Sequence, residues 1–102
     1  MSPQLASRLE RLAAAGIQLL PLGQITGFFV FERDGFVSLV ERTTEGFGRI
    51  GAPGLLVDRG FAALVWRGGE SWFVAKGFEQ RAQEEQVGSI RRFAADLEAA
   101  LR

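Results

Sequence analysis

Two pairs of apolar runs, each doubled back on a two-residue turn, restrict this chain more than anything else in it. Phe28-Phe29-Val30-Phe31 leads through Asp34-Gly35 into Phe36-Val37-Ser38-Leu39-Val40. Phe61-Ala62-Ala63-Leu64-Val65-Trp66 leads through Gly68-Gly69 into Ser71-Trp72-Phe73-Val74-Ala75. Asp-Gly between apolar runs is a strong hairpin signal, because a type I′ turn needs positive φ at both central residues. A loop of two then fixes the register. Arg33 faces Phe36, Phe31 faces Ser38, Val30 faces Leu39 and Phe29 faces Val40; in the second hairpin Arg67 faces Glu70. A strand with one wet face alternates apolar and polar residues. These strands mostly do not, so both faces of the sheet need cover.

The rest of the chain supplies two helices. Ser2 is placed to cap the first, with Pro3 at its opening position. Leu5, Leu9 and Leu12 mark one face, and Gly16 is a natural stop, so the helix spans residues 3–15. Val87, Ile90, Ala94, Leu97 and Leu101 form a second stripe, widened by Phe93, on a helix over residues 83–101. Glu84 and Glu85 sit in its first turn, where the helix dipole favours acids. Residues 17–20 and 55–57 are candidates for short strands. Residues 43–54, rich in glycine, read as a break between the hairpins.

The expected architecture is therefore a single α+β domain over residues 1–102. One antiparallel sheet of four or five strands, built from two hairpins, is flanked by an N-terminal and a C-terminal helix. Four strands at ~4.8 Å make a sheet about 15 to 20 Å across. Two helices, each about 10 Å wide, cover one face of it. An apolar face left bare is most simply covered by a second copy, since most oligomers are symmetric dimers. The expected function is thus a non-enzymatic interaction module that homodimerises through the sheet. Phe29, Phe31, Val40, Trp66 and Phe73 are its candidate interface residues, chosen for bulk and placement on a strand.

Composition narrows the chemistry. The chain has no histidine, cysteine or tyrosine. That removes the usual neutral-pH base, thiolate metal sites and disulfides, and every Ser-His-Asp or Cys-His system within one chain. No carboxylate pair is placed across a recognisable cleft, and no metal or cofactor is expected. The formal charge is zero, and no basic stripe marks a nucleic-acid partner. No apolar run is long enough to span a bilayer. The N-terminus lacks the apolar core of a secretory signal, so a cytoplasmic location is expected.

One motif remains. Gly46-Phe47-Gly48-Arg49-Ile50-Gly51 fits G-x-G-x-x-G. In a dinucleotide fold that motif opens a helix, whereas Pro53-Gly54 follows here. The weaker reading is an anion site in which Gly46, Gly48, Gly51 and Arg49 form a backbone nest and Lys76, the chain's only lysine, adds charge. It belongs to the alternative function, a small-molecule sensor with a pocket between sheet and helices. There Arg49 or Lys76 would hold an anionic head group.

Overall fold

Asp34 and Gly35 have φ values of 56° and 88°, and Gly68 and Gly69 have 55° and 83°. Both hairpins thus turn on the doubly positive geometry that their sequences require. A computed structural model describes residues 3–21, 26–57 and 60–102; Ser2, the expected helix cap, lies outside the described residues. The chain runs α1 (Pro3–Ala14), β1 (Gln18–Leu20), β2 (Phe28–Arg33), β3 (Phe36–Thr43), β4 (Gly46–Ile50), β5 (Gly54–Val57), β6 (Gly60–Arg67), β7 (Glu70–Ala75), β8 (Phe78–Arg81) and α2 (Glu84–Leu101).

The expected fold class needs correction. The sheet has eight strands, not four or five, and is seven strands wide in the order β1-β2-β3-β5-β6-β7-β8. Every pairing is antiparallel, so the sheet is a curled meander. The registers of both hairpins are those that the two-residue loops dictate, including Phe29↔Val40 and Arg67↔Glu70.

The extra strands come from segments with weak local signals. The glycine-rich stretch is no break. From Thr43↔Gly46 it returns along β3 as β4, and then along the first half of the same strand as β5, through Phe36↔Leu55 and Val37↔Gly54. Between β4 and β5 the ladder is irregular. The Gly51 N–H donates to the Leu39 carbonyl at 2.8 Å, and the buried Ser38 hydroxyl donates to the Gly51 carbonyl at 2.8 Å. A buried hydroxyl left unpaired would be costly; here it closes the gap. At the far edge, a turn at Lys76-Gly77 adds β8, and Gly77 supplies a φ of 75°.

Both helices lie on the same face. Strand parity assigns Phe31, Phe36, Val40, Ala62 and Phe73 to it. They form one buried cluster with Leu12 of α1 and with Ile90, Phe93, Leu97 and Leu101 of α2. Leu9, expected on the buried stripe of α1, is 38% exposed. Arginines lock the helices in place. Arg33 of β2 donates to the Ala15 carbonyl at 3.0 Å and to Asp96 of α2 at 2.7 Å, with its guanidinium 5.7 Å from the Phe93 ring centroid. Arg11 of α1 donates to the Ala100 and Arg102 carbonyls at 3.1 and 2.8 Å. Those carbonyls belong to a helix end with no basic residue in its own last turn.

Candidate functional site

Among the described residues the opposite face of the sheet carries no helix, and the pairing registers lay out what it presents. One row runs Gln18, Glu32, Val37, Gly54, Ala63, Val74, Glu79 across all seven strands. The next contains Leu20, Val30 and Leu39 on one side and Val65, Trp72 and Arg81 on the other. Phe28 and Glu41 flank these rows at one end, and Leu56 and Phe61 at the other. The centre of the face is apolar and its charges lie towards the margins.

The surface is uneven. Val30 and Val37 are buried although no helix covers them, while Phe28 is 40% and Leu56 37% exposed. The Phe61 ring lies across Gly54, where an added Cβ would meet its Cε2 at 2.7 Å, and Gly54 is paired with Val37. Beside it a hollow of about 410 Å³ is lined by Phe28, Leu39, Phe61, Ala63 and Ala52, with Glu41 and Arg49 at its polar side. On the β6–β8 side the charges are paired with each other, Arg67 with Glu79 at 2.9 Å and Arg81 with Glu70 at 3.2 Å. Trp72 sits half-buried among them, opposite Arg81 in the register.

The five residues expected at an interface all have the other parity. Phe31, Val40 and Phe73 are 1%, 0% and 0% exposed, inside the cluster beneath the helices. They have no surface to offer a partner. Phe29 is half-buried against Phe47, with ring centroids 5.1 Å apart, and Arg42 lies 4.6 Å above its ring. Trp66 is exposed at the end of β6, where Arg91 of α2 lies 5.8 Å from its ring centroid. The residues that do form the helix-free face, Phe28, Leu39, Leu56, Phe61, Val65 and Trp72, were readable from the same registers. The signal was volume. A chain's own helices take the bulkier aromatic face, because burying it removes the most apolar area from water.

The anion candidates are not assembled into one site. Gly46 and Gly48 lie within β4, and Gly51 follows it into β5 rather than into a helix. At Gly48 a Cβ would meet Thr43 Cγ2 at 2.8 Å and Glu41 Oε1 at 2.9 Å, so the missing side chain makes room for cross-strand neighbours. Arg49 lines the hollow described above, whereas Lys76 lines a separate recess at the β7–β8 turn. Among the described residues no group of three acidic side chains could hold a metal ion, and no helix is long and apolar enough to cross a membrane. No protein-family model, curated protein or solved structure matches the chain.

Proposed function

We propose that this protein is a non-enzymatic interaction module that pairs with a second copy of itself through the helix-free face of the sheet. The observation that carries the proposal is the stacking of both helices on one side of a seven-stranded sheet whose other side has an apolar centre. Seven strands at ~4.8 Å spacing and three side-chain rows at ~6.8 Å give this face a projected area of about 600 Å². That is the order of the ~800 Å² per partner buried in a stable protein interface. An apolar centre rimmed by charged margins is the pattern of an interaction surface. A copy of the same chain is favoured as occupant because the protein's formal net charge is zero. Two copies therefore meet without the net repulsion that keeps highly charged proteins apart. Sheets packed face to face interdigitate their side chains, and the hollow beside Phe61 gives an apolar side chain of the partner somewhere to enter.

The test is the mass in solution of three glutamate variants of matched exposure. Phe28→Glu and Leu56→Glu place a charge on the helix-free face, where the native residues are 40% and 37% exposed; Leu9→Glu places one on α1, at 38%. By light scattering the wild type and Leu9→Glu should have twice the 11.2 kDa chain mass, and the two face variants the single mass. A wild type at 11.2 kDa across micromolar concentrations defeats the proposal. So does a dimer that both face variants leave intact.

A further inference from the structure

The helices do not cover the whole of their own face. At the end of the sheet marked by the β7–β8 turn lies an open recess of about 1000 Å³. Leu55, Val57, Ala75 and Phe78 line it, packed on their inner side against the buried cluster, together with Leu56 and Phe61 from the margin of the other face, and among the described residues none of either helix reaches it. Its volume is at the upper end of what small-molecule sites offer, and most of its lining side chains are apolar. The lining residues belong to four adjacent strands, so the recess is about 14 Å long at ordinary strand spacing.

Among the described residues one charged side chain lines it, that of Lys76, with the Gln80 carboxamide as a further polar group. Lys76 differs from most of the basic residues. Arg11, Arg33, Arg67, Arg81 and Arg102 donate to carbonyls or carboxylates, and Arg42 and Arg91 lie over aromatic rings. The Lys76 ammonium has no such partner among the described residues. A compact, unpaired cation beside an elongated apolar trough selects for opposite charge on one end of a narrow apolar body. We infer that the recess binds a free single-chain amphiphile with an anionic head group, its tail along Leu55, Val57 and Phe78 and its head at Lys76. Leu56 and Phe61 at the margin of the helix-free face also line the recess, so it borders the proposed dimer face, while Lys76, Ala75 and Phe78 lie outside that face.

The experiment titrates the full chain with decanoate below its micelle concentration, followed by calorimetry and by backbone amide shifts. Decanol and decyltrimethylammonium serve as neutral and cationic partners of equal chain length. Decanoate should saturate one site per chain and move the amides of residues 55–57 and 75–80. Decanol should bind at least tenfold more weakly, and the cation should leave those amides unmoved. Lys76→Glu should weaken decanoate binding at least tenfold, and Lys76→Arg should preserve it. Equal binding by Lys76→Glu and wild type overturns the inference, as do shifts that leave the amides of residues 75–80 unmoved. A third arm uses anionic phospholipid vesicles. Recruitment to vesicles without saturable decanoate binding also overturns it, because the ligand would then be a membrane surface.

Discussion

Gly54 offers the sharpest test of how the middle of the sheet is built. It is paired with Val37 of β3 on one side and with Ala63 of β6 on the other, and it is buried. A Cβ there would meet the Ala62 carbonyl oxygen far inside contact distance, Phe61 Cε2 at 2.7 Å and the Ala62 carbonyl carbon at 3.1 Å. The phenyl ring can rotate away, but the carbonyl is backbone. Relieving the clash means moving β5 and β6 apart. Overpacking of this kind costs about 1–3 kcal/mol, and a weakened ladder hydrogen bond adds about 1 kcal/mol. The lower entropy of an unfolded alanine returns about 0.4–1 kcal/mol. Gly54→Ala should therefore lose about 2–3 kcal/mol. With a urea slope of about 1.5 kcal/mol per molar, the unfolding midpoint falls by about 1.5–2 M. Gly48→Ala is the comparison. The atoms its Cβ would crowd belong to the Thr43 and Glu41 side chains rather than to a carbonyl; Glu41 Oε1 can move away, while Glu41 Cβ at 3.1 Å and Thr43 Cγ2 must give slightly, so its cost should stay below that of Gly54→Ala. Equal midpoints for the two variants would mean that β5 does not lie between β3 and β6 in this register, and the width of the sheet would have to be redrawn.

Two further outcomes follow from the helix-covered face. Arg33→Ala should destabilise by about 2 kcal/mol in chemical denaturation, since it leaves the Ala15 carbonyl and Asp96 without their donor. A double-mutant cycle with Asp96→Ala should assign less than about 1 kcal/mol to the ion pair, because the Asp96 side chain is 50% exposed. Phe73→Ala should cost about 3–5 kcal/mol, as for a large side chain deleted from a packed core. Trp66→Ala should cost under about 1 kcal/mol, the indole being 59% exposed and held by one cation–π contact. Comparable losses for the two would refute the burial of Phe73 in the cluster beneath the helices.

What could be read from the sequence was whatever a few adjacent residues decide. Asp34-Gly35 and Gly68-Gly69 fix turn type and loop length, and loop length fixes every pairing in those two hairpins. The stripe Ile90, Phe93, Leu97, Leu101 fixes the inward side of α2, and all four are buried. The strands that escaped owe their existence to a neighbour. β8 has one apolar residue, Phe78, and otherwise reads Glu79-Gln80-Arg81; it is a strand because β7 offers it an unpaired edge. β4 contains two glycines, yet the overhanging half of β3 holds it in place. The absence of helix beyond Gly51 was legible, since Pro53 follows. The choice of face was legible only through side-chain volume, since α1 and α2 take the bulkier aromatic set.

The strand count bears directly on the reason for proposing a partner. Apart from β4, which shares β3 with β5, strand order follows chain order, so each added strand widens the sheet by another ~4.8 Å while the helices stay at two. From β1 to β8 the sheet is about 29 Å across, and two helices side by side cover about 20 Å. Four strands would have matched the two helices and left one face over. Seven exceed them even on the face they occupy, which is why a recess remains beyond their reach at Leu55, Val57 and Phe78. The same excess doubles the area of the opposite face relative to a four-stranded sheet. A chain that adds strands to an uncovered sheet enlarges the face its two helices cannot reach, although it already buries Val30 and Val37 there without a helix.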